Sequence, residues 1–414
     1  MFVLTETVRC PGTTNIGKAS PMKVDFYRHS LTSHHAEAVA KAISSRFLGT
    51  GMICQQVEAQ ISDYFDVRHA ALVNSWTNGA LAVLLALGVQ RGDEVIVPAM
   101  TFIATANMVE LLGAKPVFAD VDPGSLLLTP ETVKRHVTSR TKAVIPVHLY
   151  GQMVDLPAMR KMLDGHPEAS GKIWIVEDAA HCFEGSRSGM KPGQASDVAI
   201  FSFYASKNIT CGEGGAIITS NAALYREILQ TRLHGMSAMA MDRFKGGRYN
   251  HWDMERLGAK ANLPDIFASL LPDQIATIDE RLPRRQAIAA RYRDAFAGGP
   301  LRLVSQIEDC ASAEHIFPIG VPGGGRDSAI MALNEAGVSV TVNYRSVPSM
   351  TYYRRRYPHA LQSCPVSHVW GEETLTLPLF PGLTDAELDY VIETVCTRVY
   401  PICEQRVKPR RAAG

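Results

Sequence analysis

The stretch VAIFSFYASKNITCGEGGAIIT (198–219) decides the reading. It holds two short apolar runs, Val198–Phe203 and Gly215–Thr219, with a polar, glycine-rich turn between them and Lys207 just past the end of the first. Runs this short and this apolar are strands covered on both faces. Upstream, the same kind of run recurs at Ala70–Asn74, Glu94–Pro98, Lys115–Ala119, Ala143–Val147 and Lys172–Glu177. Helical patterns separate them at Asn78–Leu87, Thr105–Leu112 and Pro157–Leu163, and another follows at Ala222–Leu233. Seven strands alternating with helices predict an α/β fold with a mostly parallel sheet, whose ligand crevice lies at the carboxyl ends of the strands.

Outward from this block, Ala36–Phe47 and Gln55–Phe65 read as amphipathic lead-in helices. The polar stretch 234–263 has little periodicity and reads as a long loop of the kind that serves as a lid or exchange arm. Gln274–Phe296 reads as one long helix, although Pro272 stands at its start. After residue 300 the apolar stretches His315–Val321, Val338–Asn343 and Glu373–Leu377 alternate with helices near Asp327–Ala336 and Thr384–Thr397. The expected organisation is a lead-in (1–22), a large α/β domain (23–297), a small α+β C-terminal domain (298–402) and a tail (403–414).

Composition narrows the function classes. The 414 residues are 46% hydrophobic and 20% charged, a globular balance. Lys+Arg 42 against Asp+Glu 41 leaves a net charge of +1, which gives no global field for nucleic acid, so any anion site must be built locally. No apolar run approaches the ~20 residues of a membrane span, and the start lacks the basic and apolar regions of a secretory signal. Eight scattered cysteines without a CxxC pair point to reduced thiols in a cytoplasmic protein and to no metal site. Cys182 and Cys211 stand near the motifs and read as small packed residues.

Four strand ends carry the chemistry. A buried lysine at the position of Lys207 suits a Schiff base, because desolvation frees the neutral amine; the plain alternative is a surface lysine in a turn. Trp174-Ile-Val-Glu-Asp178-Ala-Ala-His181 ends an apolar strand in an acid, and strand alternation sends Asp178, not Glu177, into the crevice. Pyridoxal phosphate (PLP) needs that pair, the lysine for its aldehyde and a carboxylate for its ring nitrogen. His181 either meets the ring or is an ordinary crevice histidine. Val73-Asn-Ser-Trp-Thr77-Asn78-Gly79 turns a strand into a helix with Thr77 as N-cap, a phosphate cradle that Ser202 would complete. Phe102 follows a strand end, placed either flat on the ring or in the core.

In this order the motifs resemble fold-type-I PLP enzymes, and within them the DegT-type sugar-nucleotide aminotransferases. The matching segments are GDEVIVPAMTFIATAN (92–107), AKPVFADVD (114–122), IPVHLYGQ (145–152), VEDAAH (176–181), FSFYASKNITCGEGG (201–215) and TLPLFPGLT (376–384). Further likeness to UDP-4-amino-4-deoxy-L-arabinose aminotransferases rests on LHGMSAMAMDRFKGGR (233–248), KANLPD (260–265) and YRSVPSMTYYR (344–354). The resemblance implies that Lys207 holds PLP, that Asp178 pairs with the ring nitrogen, and that Ser202, Thr77 and Asn78 hold the phosphate. It implies too that Asn262 reaches that phosphate from a neighbouring subunit, so that a homodimer shares its sites. The implied reaction moves an amine from L-glutamate through pyridoxamine phosphate to a nucleotide-linked keto sugar at C4, with a C3-keto sugar or a keto-cyclitol as the other acceptors. Arg243, Lys245 and Arg248, with Tyr344 and Arg345, are the candidate substrate contacts. Trp76, Met52, Ala259, Ala261, Pro272 and Pro348 depart from the family pattern, which leaves the cofactor residues intact and the sugar pocket changed. Relatives with sugar 3-dehydratase chemistry carry histidine where this chain has Lys207, and a non-catalytic PLP-binding regulatory protein is the remaining alternative.

Overall fold

A computed structural model describes residues 22–45, 47–237, 249 and 251–407, the side chains of 405–407 excepted. Arg243, Lys245 and Arg248 therefore lie outside the described residues. The strands are β1 His69–Val73, β2 Glu94–Pro98, β3 Lys115–Ala119, β4 Thr141–Val144, β5 Trp174–Asp178, β6 Ser186–Arg187, β7 Val198–Ser202, β8 Gly215–Thr219, β9 Arg302–Leu303, β10 Cys310–Ala311, β11 Phe317–Gly320 and β12 Thr374–Leu377. Seven of them form one sheet in the order β1-β8-β7-β5-β4-β2-β3. Pairing is parallel from β7 through β3, while β8 runs antiparallel to both β7 and β1.

Both faces of this sheet are covered, which is why its strands read as unbroken apolar runs. Ala71 and Val73 pack on one side with Ile200 and with α3 (Trp76–Ala86), whereas Ala70 and Leu72 pack on the other with Ala199 and Phe201. That second face is closed by α2 (Met52–Phe65) through Val57, Ile61 and Phe65. The one acid at a strand start, Glu94, is buried and satisfied by Arg140, Lys115 and Thr138. α3 sits unusually close to the sheet. A Cβ on Gly79 would come within 3.0 Å of Val73, and one on Gly215 within 2.5 Å of the Phe201 carbonyl and 3.0 Å of the Trp76 amide nitrogen.

A second core surrounds the sheet β12-β11-β9. It draws Ile288, Tyr292 and Phe296 from the helix Ile278–Phe296, and Val24 from the start of the described chain. Two sequence expectations fail here. Val338–Asn343 is not a strand: it meets the edge strand β12 at a single bridge, Thr341 with Thr376, and the start of the described chain at another, Val338 with Val24. The single long helix expected over 274–296 is broken at Thr277 into Pro272–Ala276 and Ile278–Phe296. Pro272 takes the first position of the short piece, where a missing N–H leaves no bond unmade.

Candidate active site

The carboxyl ends of the strands open into a cavity of about 470 Å³. Thr77, Phe102, Asp178, His181, Ser202, Lys207 and Tyr344 all line it. So do Ser75, Thr101, Thr105, Tyr204, Ser206, Glu213 and Asn343, which sequence reasoning gave no role there. Thr101 and Thr105 stand four apart, a helical spacing that was a signal to be found.

Lys207 rides on the loop between β7 and β8. The loop is closed at its base by Phe203 N–H to the Gly214 carbonyl (2.8 Å) and Cys211 N–H to the Phe203 carbonyl (3.1 Å), and Lys207 N–H turns back to the Tyr204 carbonyl (2.9 Å). Burial brings the Lys207 amine down to about 8, against the pull of Asp178, so the neutral nucleophile is accessible near neutral pH.

Asp178 ends β5 and is buried at the cavity wall. Oδ1 accepts from the Ala180 N–H (3.1 Å) and Oδ2 from Thr105 Oγ1 (3.1 Å), which is itself 3.0 Å from Thr101 Oγ1. Burial nevertheless pushes the Asp178 carboxyl up to about 6, because two hydrogen bonds and the Lys207 charge do not replace lost water. Glu177 points to the opposite face, as strand alternation requires. There it meets His148 Nε2 (2.7 Å) and the Gly193 N–H (2.8 Å).

His181 accepts the Tyr150 N–H at Nδ1 (3.3 Å), and its Nε2 lies 3.1 Å from the Tyr344 hydroxyl. Burial, with Lys207 and His315 close by, holds the ring well below the usual histidine range. A neutral imidazole that accepts at Nδ1 carries its proton on Nε2, which here donates to Tyr344. Phe102 is not a core residue: it is 52% exposed at the cavity rim, its ring 5.7 Å from that of Tyr344.

The anion end differs from expectation in one detail. Ser75, not Thr77, is the N-cap of α3, accepting the Asn78 N–H at 3.1 Å, and Thr77 is the second helical residue. The helix start still faces the cavity through Ser75, Trp76 and Thr77, opposite Ser202. Asn78 does not line the cavity; Nδ2 donates to Asn74 Oδ1 (2.9 Å). Asn262 does not line the cavity of its own chain either. It is bridged to Val73, donates to Thr50 Oγ1 (2.5 Å) and accepts from Lys260 Nζ (2.5 Å). Arg345 stands outside the cavity, half-exposed near Glu372. Burial raises both thiols near the site, Cys182 well up and Cys211 to about 12, which disfavours the thiolate at each. Among the described residues no group of three His, Cys, Asp or Glu could hold a metal, and no helix is long and apolar enough to cross a membrane.

These residues fit PLP. A buried carboxylate without a matching cation suits a protonated ring nitrogen; a helix start with two serines and a threonine suits a phosphate; a desolvated lysine suits the aldehyde. Sheet order and site together define a fold-type-I PLP-dependent enzyme. The model of the DegT/DnrJ/EryC1/StrS aminotransferase family matches residues 29–396, and the chain belongs to this family. It is a PLP-dependent aminotransferase acting on small molecules. Similar solved structures include Spr1654 from Streptococcus pneumoniae, described as a candidate sugar aminotransferase, in its PMP form: 29% identity, TM-score 0.85, 93% of this chain and 100% of that one covered. DesV from S. venezuelae, in complex with a ketimine intermediate, is 30% identical with TM-score 0.79 over 88% of this chain and 93% of its own. The aminotransferase TlmJ from Streptoalloteichus hindustanus is 27% identical with TM-score 0.82, covering 92% and 100%.

Proposed function

We propose that the protein transfers the amino group of L-glutamate to a nucleotide-linked keto sugar, at C4 of the sugar. The observation that carries the transaminase reading is that half-buried Lys207 and buried Asp178 line one cavity. Support for a sugar acceptor comes from family membership and from Spr1654. Tyr204, Tyr344 and Glu213 line the cavity with hydrogen-bonding groups that a polyhydroxylated acceptor would use.

When bound, PLP supplies an electron sink for the carbanion formed at the donor's α-carbon. Asp178, as a carboxylate, would hold the proton on the ring nitrogen. Thr105 and the Ala180 amide hold the carboxylate in that orientation. Ser75, Thr77 and Ser202, with the start of α3, bind the phosphate end. Lys207 would move a proton from the donor's α-carbon to C4′ of the cofactor, and in the second half-reaction from C4′ to the keto carbon of the acceptor. A midpoint near 8 leaves a working fraction of neutral base at physiological pH. His181, held by Tyr150 and Tyr344, would lie beside the ring.

Arg243, Lys245 and Arg248 are assigned to the nucleotide diphosphate, because the near-neutral chain must gather cations locally. Asn262, turned away from its own cavity, is assigned to the phosphate of a second subunit in a cytoplasmic homodimer. The test is a panel of nucleotide keto sugars offered to the pyridoxamine phosphate form, read as return of the PLP absorbance. A C4-keto sugar should react fastest. Preference for a C3-keto sugar or a free keto-cyclitol would overturn the assigned acceptor. For the shared site, mixed Lys207→Ala and Asn262→Ala proteins should regain activity that neither has alone; no regain removes Asn262 from its role.

A further inference from the structure

Behind Lys207, on the side away from the main cavity, lies a polar chain that no step above uses. Lys207 Nζ is 3.5 Å from Nε2 of His315, a buried ring supplied by the segment before β11, outside the seven-stranded sheet. Nδ1 of His315 is 2.9 Å from Oδ1 of Asn208. An amide oxygen has no proton to give, so Nδ1 is the donor, and in the neutral ring Nε2 keeps its lone pair. Burial, together with Lys207 and Arg285, holds His315 well below the usual histidine range, which is that neutral state.

Asn208 is fixed in turn. Nδ2 donates to Glu184 Oε1 (2.8 Å) and to the Ala313 carbonyl (3.3 Å), which settles which end of the amide meets the histidine. Glu184 is ion-paired with Arg285, both buried, and Arg285 Nε reaches the same Ala313 carbonyl (3.2 Å). The other titratable groups around Lys207 are Tyr204, Glu213 and Tyr344, which line the main cavity with it, and those on the elements packed behind it. Asp178 and His181 have the partners given above. Tyr27, Arg28 and His29 share a small cavity with Lys207 and His315, and Arg28 is bound to Asp25 and Glu387. Glu314, beside His315, is paired with Arg293.

We propose that His315 is the positioning residue of Lys207: its Nε2 lone pair accepts a hydrogen bond from the free amine, and the chain Asn208–Glu184–Arg285 keeps that lone pair aimed. This rests on the reading of Lys207 as the residue that carries the cofactor. A lysine side chain has four rotatable bonds and, once free, loses its aim unless something holds it. An acceptor behind Nζ turns the nitrogen's own lone pair toward the cavity, where cofactor and donor lie. The same acceptor also favours the ammonium form, so it sets the pH midpoint of the lysine as well as its direction.

Cofactor-free full-length protein, mixed with pyridoxal phosphate over a series of pH values and followed by visible absorbance, reads both effects. Capture needs the neutral amine, so the midpoint of rate against pH reports Lys207 and the plateau rate reports its aim. His315→Phe should slow the plateau roughly tenfold through misplacement. It should also move the midpoint down by about one pH unit, a tenfold change in the amine-to-ammonium ratio. His315→Gln, which keeps an accepting oxygen, should restore most of both. Asn208→Leu, which frees the histidine tautomer, should shift both in the direction of His315→Phe. A His315→Phe protein with wild-type midpoint and plateau overturns the proposal. So does equal damage in Phe and Gln variants with Asn208→Leu unaffected, since His315 would then only fill space. A wild type that never captures the cofactor sinks the reading of Lys207 itself, a separate and visible failure.

Discussion

Replacing Asp178 with asparagine should make the cofactor-free protein more stable and a poorer holder of its cofactor. The carboxyl is held at about 6 in the folded chain, against about 3.9 in an unfolded one. A gap of roughly two units is about 3 kcal/mol at 1.36 kcal/mol per unit. The sign follows from proton counts. Between pH 4 and 6 the folded state binds more protons than the unfolded state, so stability falls as pH rises and the whole penalty is present above 6. Asparagine is neutral throughout, but its single oxygen accepts only one of the two bonds that Asp178 takes from Thr105 and Ala180. That offsets about 1 kcal/mol, leaving a gain of about 2 kcal/mol at pH 8. At pH 4.5 the penalty has fallen to about 1 kcal/mol by the same linkage, so the gain vanishes. Urea unfolding of PLP-stripped wild type and Asp178→Asn at pH 8 and 4.5, read by circular dichroism, measures both values. A variant no more stable at pH 8, or a gain equal at both pH values, refutes the argument that Asp178 is an uncompensated charge awaiting a cation. Cofactor retention should move the other way, because the neutral amide gives the ring nitrogen no ionic partner.

Thr105→Val removes a hydroxyl from the Asp178 carboxylate; PLP affinity, followed by absorbance titration, should weaken by about 1–2 kcal/mol, and unchanged affinity would show that Thr105 carries no orienting role. Lys207→Ala should fold normally, lose the visible absorbance of bound cofactor and lose turnover by at least about a thousandfold; residual turnover within tenfold of wild type excludes it as the base. Cofactor capture by the wild type should be half-maximal near pH 8, as the buried amine requires, and a midpoint near the ~10.4 of a free lysine would mean an exposed side chain. Gly215→Ala should destabilise by about 2 kcal/mol or more, since a Cβ there has no room against the Phe201 carbonyl; a thermal scan showing no change would mean that α3 can back away from the sheet.

Much of the sheet was legible because each strand is buried on both faces and bounded by turn residues. Glu94–Pro98, Lys115–Ala119 and Gly215–Thr219 are found at the expected residues. Asp178 was readable because alternation along β5 leaves no other acid facing the crevice. The misses have local causes. Ser75 and Thr77 are both good caps two residues apart, and only the backbone decides between them. The side chain of Asn78 is drawn to Asn74, which stands just before the helix, a pairing that spacing alone does not announce. Val338–Asn343 has β-branched chemistry, yet it meets the edge strand β12 at one residue only, Thr341, and builds no ladder there. His315 carried no sequence signal at all, because its partner Lys207 is 108 residues away and belongs to another sheet. Contacts across such a distance are set by how two cores dock, and periodicity does not encode that.

The reversed direction of β8 has a practical consequence. A parallel neighbour would have required a crossover of a dozen or more residues after β7. Because β8 instead turns straight back, the reactive lysine is carried on a hairpin clamped at its base by the Phe203–Gly214 bond and tied outward through Lys207, Asn208 and Thr210. Residues 203–214 thus form one contiguous insert whose outside partners are few and known. Exchanging this segment between relatives would transplant the lysine and its immediate neighbours while leaving every crossover helix, and so the phosphate end of the cavity, in place. The hairpin is the natural unit in which to swap lysine for another residue and ask what chemistry the rest of the scaffold then supports.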